Sequence, residues 1–160
     1  MTGGQLRMRH LAPAGAPIRL PDLARWTRLA IAGGDVAASL RQEFCDRFGV
    51  RHSFLTSTGR AGMTLLLRAM RRLAPSQRDE VVVPSYTCYS VAASVVKAGL
   101  RPRIVDIAPD TLDYSHDDLG RTDMTRVLAI VATNLYGFPN DLPALSRFAR
   151  QHGVFLVDDA

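Results

Sequence analysis

Along most of this chain, short runs of continuous apolar residues alternate with stretches in which apolar residues recur every three or four positions. The first period marks buried strands and the second amphipathic helices. Glu80-Val81-Val82-Val83-Pro84, Arg103-Ile104-Val105-Asp106-Ile107, Val127-Leu128-Ala129-Ile130-Val131-Ala132 and Val154-Phe155-Leu156-Val157 read as strands, and Val50 to Leu55 as a shorter one before them. Helices are predicted from Leu20 to Ile31, stopped by Gly33-Gly34, and from Asp35, whose carboxylate caps a stripe of Val36, Leu40, Phe44 and Phe48, to Gly49. Cys45 beside that stripe reads as a core residue. A third helix runs from about Arg60 to Ala74 on Met63, Leu66, Leu67, Met70 and Leu73, a fourth through Val91, Val95 and Val96 to Gly99, and a fifth from Leu142 to His152 between Asp141 and Gly153. Ala108 to Asp123 and Thr133 to Asp141 read as irregular surface and loop.

Continuously apolar strands, each separated from the next by a helix, imply an α/β fold: a mostly parallel sheet with helices on both faces. Ligands of such sheets sit beyond the carboxyl ends of the strands. The residues there are Ser57-Thr58-Gly59-Arg60, Ser85-Tyr86-Thr87-Cys88-Tyr89, Asn134-Leu135-Tyr136-Gly137 and Asp158-Asp159. The first group begins a helix, where free backbone N–H groups and the macrodipole suit an anion, and Arg60 adds a charge. Gly59 and Gly62 lack the first glycine of a dinucleotide-binding GxGxxG.

Charge and composition narrow the partners. The net charge is +5, and nineteen of the twenty basic residues are arginines scattered along the chain, with Lys97 the single lysine. The cluster Arg68, Arg71 and Arg72 lies opposite an apolar stripe and reads as a solvated face, and with no interleaved aromatics or nucleic-acid motif the nucleic-acid reading ranks lowest. Cys45 and Cys88 form no CxxC pair, and His10, His52, His116 and His152 show no metal-ligand spacing, so a cytoplasmic chain without a metal site is expected. Met1 to Pro17 has no apolar run of signal-peptide length and reads as a loose arm, and no membrane span is predicted.

An anion corner, a residue to cover a ring and a carboxylate for a ring nitrogen describe a pyridoxal phosphate pocket. Phe48-Gly49-Val50-Arg51-His52, Ser57 to Gly62, Asp79 to Thr87, Ala98 to Leu112, Leu135 to Asp141 and Val157-Asp158-Asp159-Ala160 occur in the order found in the DegT/DnrJ/EryC1/StrS sugar aminotransferases, which the chain resembles from about Asp35 to Ala160. The resemblance implies the N-terminal part of the large domain of a pyridoxal 5′-phosphate transferase over 35–160, after an arm and short helix over 1–34. It places the cofactor phosphate on Thr58, Gly59 and Arg60, the last standing where many members have threonine. It sets Cys88 against the ring where an aromatic is common, with Tyr86 and Tyr89 as alternatives, and pairs Asp159 with the ring nitrogen. Asp158 alternates to the other face, as a helix-capping or surface partner. Asn134 and Tyr136 either shape their loop or contact substrate or cofactor.

A transaminase also needs a lysine amine that joins the cofactor and moves protons. Lys97 is expected at the amino edge of the sheet, out of reach, and in the resembled family the lysine follows well beyond the equivalent of Asp159. No catalytic residue is therefore assigned, and the chain by itself is expected to be inactive, with an unfinished sheet that exposes apolar surface. The implied whole enzyme transfers an amine from a donor such as glutamate to a nucleotide-linked keto sugar, in amino-sugar or polysaccharide biosynthesis, as a homodimer. The competing expectation is a non-catalytic α/β module that binds a phosphorylated ligand or a protein partner.

Overall fold

The computed structural model describes residues 18–33 and 35–160, so the arm over 1–17 and Gly34 of the predicted breaker lie outside the described residues. The chain forms two compact units, one up to Ser53 and one from Phe54 to Ala160. The first holds α1 (Leu20–Ile31) and α2 (Val36–Phe48). The Asp35 side chain accepts the Ala38 N–H at 2.9 Å, and Gly49 ends α2 at φ 63°, a left-handed conformation that suits glycine. Neither helix contains a buried residue; the stripe from Val36 to Phe48 is exposed and Cys45 only half-buried, contrary to expectation. Phe44 and Phe48 stack on each other at 5.5 Å, because two helices alone supply no further layer over that stripe.

The second unit contains α3 (Gly59–Leu73), β1 (Glu80–Pro84), α4 (Tyr89–Lys97), β2 (Arg101–Val105), α5 (His116–Arg121), β3 (Val127–Thr133), a 3₁₀ turn (Leu135–Gly137), α6 (Leu142–His152) and β4 (Phe155–Asp159). The four strands are all parallel, in the order β2-β1-β3-β4. Alternate residues of the strands face two separate cores. One core gathers Val81, Val83, Ala129, Val131 and Val157 with Leu67 of α3 and Val91 and Val95 of α4. The other gathers Val82, Ile130 and Ala132 with Leu119 of α5 and Leu145 and Ala149 of α6. No described helix is long and apolar enough to cross a membrane.

Three boundaries differ from expectation, each for a reason visible in the hydrogen bonds. Val50 to Leu55 forms no strand, because no described strand pairs with it, and Phe54 stays 81% exposed. β2 begins two residues early, pairing Arg101 with Glu80, and ends before Asp106, whose Oδ1 accepts both the Ser85 hydroxyl and the Ile107 N–H. β4 runs through both carboxylates because β3 continues to Thr133, setting Ala132 beside Asp158 and Thr133 beside Asp159. The segment from Ala108 to Asp123 is not all surface. Tyr114 is 1% exposed, and its hydroxyl donates to the Val131 carbonyl at 2.6 Å, with the Val82 carbonyl at 3.4 Å. Burial pushes that phenol well above its usual range, so it stays a neutral donor.

At the amino ends of the strands, charge does the joining. Asp79 pairs with Arg101 and Arg126, and the buried Glu80 with Arg101 and Arg103. Arg78 donates to the Val127 and His152 carbonyls, at 2.8 and 3.1 Å. Two of the three arginines expected on a solvated face are also engaged: Arg68 donates to the Lys97 carbonyl at 2.9 Å and Arg71 to the Gly99 carbonyl at 2.6 Å. These bonds satisfy carbonyls at the end of α4 that have no partner within the helix.

Candidate functional site

The opposite rim of the second unit brings together the residues after each strand. α3 starts there: the Thr58 hydroxyl accepts the Ala61 N–H at 3.1 Å, while the Gly59 and Arg60 N–H groups lie in the first turn, where a helix has no acceptor for them. Gly59 has no positive φ, and a Cβ added to it would meet nothing within 4 Å. Packing therefore does not require glycine there, and the space above the helix start is open. Gly62 is different, since its Cβ would come within 3.1 Å of the Thr56 hydroxyl. Arg60 forms no ion pair among the described residues, which leaves its charge available.

Cys88 precedes α4 and is exposed. The Ser90 hydroxyl, 3.0 Å from its sulfur, and the Ser90 N–H together draw the thiol below its usual pKa. The Asp159 charge acts against that shift and the Arg60 charge with it, so one thiol lies within electrostatic range of both the start of α3 and the acid. Arg68 and Arg71 tie the far half of α3 to the end of α4, so the start of α3, with Gly59, lies toward the rim that holds Cys88 and Asp159. Tyr86 is committed elsewhere, its hydroxyl lying 3.1 Å from that of Tyr136, and Tyr89 is exposed. Tyr136 holds φ 56°, a left-handed strain that costs about 1–2 kcal/mol for a residue with a side chain.

Asp159 ends β4 on the same sheet face as Val157, the face that carries α3 and α4. It is half-buried, and its carboxylate makes no hydrogen bond or ion pair among the described residues, while burial and then the neighbouring Asp158 push its pKa up. Asp158 points the other way, as alternation predicts, but it caps no helix. Its Oδ1 accepts the Asn134 side-chain amide at 2.9 Å. Asn134 also donates its backbone N–H to the Asp159 carbonyl at 3.0 Å and accepts from Asn140, so its role in the loop is to tie the end of β3 to the end of β4.

Two further groups stand at this rim, Thr87 within a stretch the sequence already placed there and Thr133 in what reads as a loop. The hydroxyls of Thr87, just before Cys88, and of Thr133, beside Asp159, are buried with no hydrogen-bond partner. Buried polar atoms of this kind ordinarily find a partner. Strand register was the only sequence signal for Thr133, and it depends on β4 extending to Asp159. Lys97 lies at the far end of α4, as expected, and lines a groove between α3 and α4 together with Thr58, Arg60 and Ser94. No group of three or more described His, Cys, Asp or Glu residues could hold a metal.

A parallel α/β sheet with an open helix start, a thiol and an unpartnered acid on one rim belongs to the class of folds that hold a phosphorylated cofactor at the strand ends. The chain is a member of the DegT/DnrJ/EryC1/StrS aminotransferase family, whose sequence profile matches residues 24–160. Pyridoxal 5′-phosphate is the cofactor of that family.

Solved structures agree. S. venezuelae DesV, in complex with a ketimine intermediate, is 28% identical with a TM-score of 0.76 over 86% of this chain and 37% of that one. AtS13 from Actinomadura melliaura is also 28% identical, with a TM-score of 0.71 over 95% and 43%. The E. coli GDP-4-keto-6-deoxy-D-mannose-3-dehydratase with bound hydrated PLP shares the fold at 20% identity, with a TM-score of 0.79 over 92% and 40%. The chain thus spans about two fifths of the length of the structures it matches.

Proposed function

We propose that this chain forms the cofactor-holding part of a pyridoxal phosphate-dependent aminotransferase acting on nucleotide-linked keto sugars. Thr58, Gly59 and Arg60 hold the phosphate, Cys88 lies against the ring, and Asp159 pairs with the ring nitrogen. The observation that carries this reading is the half-buried, unpartnered Asp159 carboxylate, on the same rim and sheet face as the open start of α3. Orphaned hydroxyls at Thr87 and Thr133 on that rim fit a site built to meet polar groups that the chain itself does not supply.

The cofactor supplies the electron sink for amine transfer. This chain's part is to hold it. The backbone N–H groups of Gly59 and Arg60 and the Arg60 guanidinium neutralise phosphate charge. The Asp159 carboxylate, raised by desolvation, is lowered again by a cation beside it and in turn favours a protonated ring nitrogen. The Cys88 thiol offers less area to the ring than an aromatic would. In this reading the amine that joins the cofactor is not Lys97. The complete enzyme takes nitrogen from a donor such as glutamate, works as a homodimer in the cytoplasm and serves amino-sugar biosynthesis.

Pyridoxal 5′-phosphate titrated into the purified 160-residue chain, followed by visible absorbance before and after borohydride, tests the reading. Saturable binding is expected, weakened about tenfold or more by Asp159→Ala and by Gly59→Asp, with no reduced adduct on Lys97. Binding that inorganic phosphate displaces but Asp159→Ala leaves unchanged would instead favour a module for phosphorylated ligands. An adduct on Lys97 would overturn the exclusion of that amine.

A further inference from the structure

We infer that Thr133 is a positioning residue for Asp159: its hydroxyl turns to donate a hydrogen bond to the ionised Asp159 carboxylate and so fixes the direction in which that carboxylate faces its ligand. This rests on the reading of Asp159 as the partner of the cofactor ring nitrogen.

Three independent observations meet at this point. The Thr133 hydroxyl is buried without any partner, so it has a donor to spend. Thr133 and Asp159 are register partners on the adjacent parallel strands β3 and β4, about 4.8 Å apart across the sheet. Register partners on parallel strands present side chains to the same face. The pairs below them, Val131 with Val157 and Ala129 with Phe155, all belong to or pack on the core under α3 and α4. Finally, the Asp159 carboxylate has no donor among the described residues, although it is half-buried. A threonine has three staggered χ1 positions, and rotation about χ1 can carry the hydroxyl toward the strand beside it.

The alternatives for each group are limited. On its own strand Asp159 has Asp158, which points to the opposite face and is held by Asn134. From α4 it faces the Cys88 thiol, which takes its hydrogen bond from Ser90, and beyond that lies Arg60 of α3, whose charge reaches Cys88. The strand beside it offers Thr133 and the backbone N–H of Asn134, which is spent on the Asp159 carbonyl. On the neighbouring strand Thr133 is therefore the side-chain donor not already engaged, and the other donor facing the acid, that of Cys88, is a weak S–H. A hydrogen bond from a neutral hydroxyl to an ionised carboxylate stabilises the charged form, so the bond forms as Asp159 ionises.

The test is the Asp159 titration, followed by carboxyl-carbon NMR on the full 160-residue chain in wild type, Thr133→Val and Thr133→Ser. Valine keeps the shape and removes the hydroxyl. The Asp159 midpoint is expected to rise by about one pH unit, the tenfold change in proton affinity of one charge-assisted hydrogen bond. Serine keeps the donor and should retain the wild-type midpoint. If the valine variant fails to fold, Thr133→Ala is read the same way. A merely structural hydroxyl would change melting temperature and leave the midpoint where it was, and equal midpoints in wild type and the valine variant overturn the inference. Pyridoxal 5′-phosphate titrated into the same samples separates the two ideas. A shifted midpoint in a chain that binds no cofactor sinks the functional reading and leaves the Thr133 bond standing.

Discussion

Asp159 is held in a place that disfavours its charge, since burial and the adjacent Asp158 both push its pKa up. The stability consequence has a definite sign. Folding favours the protonated acid, so below the ordinary carboxylate range of about 4 the residue imposes no penalty, and the penalty grows as pH rises from there to the raised folded pKa and is complete above it. Asp159→Asn is therefore expected to raise the melting temperature of the cofactor-free chain at pH 7, a gain that fades by about pH 3. A lower melting temperature at pH 7 would mean that the stabilising contacts of the carboxylate, the Thr133 hydrogen bond included, outweigh burial and the Asp158 charge. Cofactor binding should move the other way, with the same variant losing affinity.

At the scale of elements, α3 and α4 are joined by apolar packing and by two guanidiniums that close the end of α4. The double variant Arg68→Ala/Arg71→Ala should cost about 1–3 kcal/mol in urea unfolding, two charge-assisted bonds partly open to solvent. Amide exchange is expected to quicken first at the last turn of α4, and uniform quickening would argue against a local cap. These arginines show where sequence reading stops. Periodicity locates α3 to within a residue, although Leu66 and Leu73 of its expected stripe are exposed, and a guanidinium on a polar side looks the same whether it meets water or a neighbouring carbonyl. Strand alternation likewise separates Asp158 from Asp159, and the capping residues Asp35 and Asp141 mark their helices to the residue. What stays hidden are the groups fixed by contacts distant in sequence: the burial of Tyr114 in a turn-rich stretch, the absence of a strand over Val50 to Leu55, and the orphaned Thr133 hydroxyl.

Across the whole second unit, the two rims of the sheet have different work. The amino rim carries Glu80 at 8% exposure, bonded to Arg101 and Arg103, next to Asp79 with Arg101 and Arg126. Removing one member of such a cluster leaves a charge without its partner, so Glu80→Gln should destabilise the chain by about 1–3 kcal/mol in urea unfolding while pyridoxal 5′-phosphate affinity stays within about twofold. A large loss of affinity in that variant would mean that the rims are coupled. The carboxyl rim has no comparable ion cluster, and its candidate cofactor contacts at Arg60 and Asp159 make no ion pair among the described residues. Such a division gives the chain room to vary. Substitutions at Cys88 or Arg60 leave untouched the clasp that keeps the layers together, so one border can vary while the other supplies the solidity.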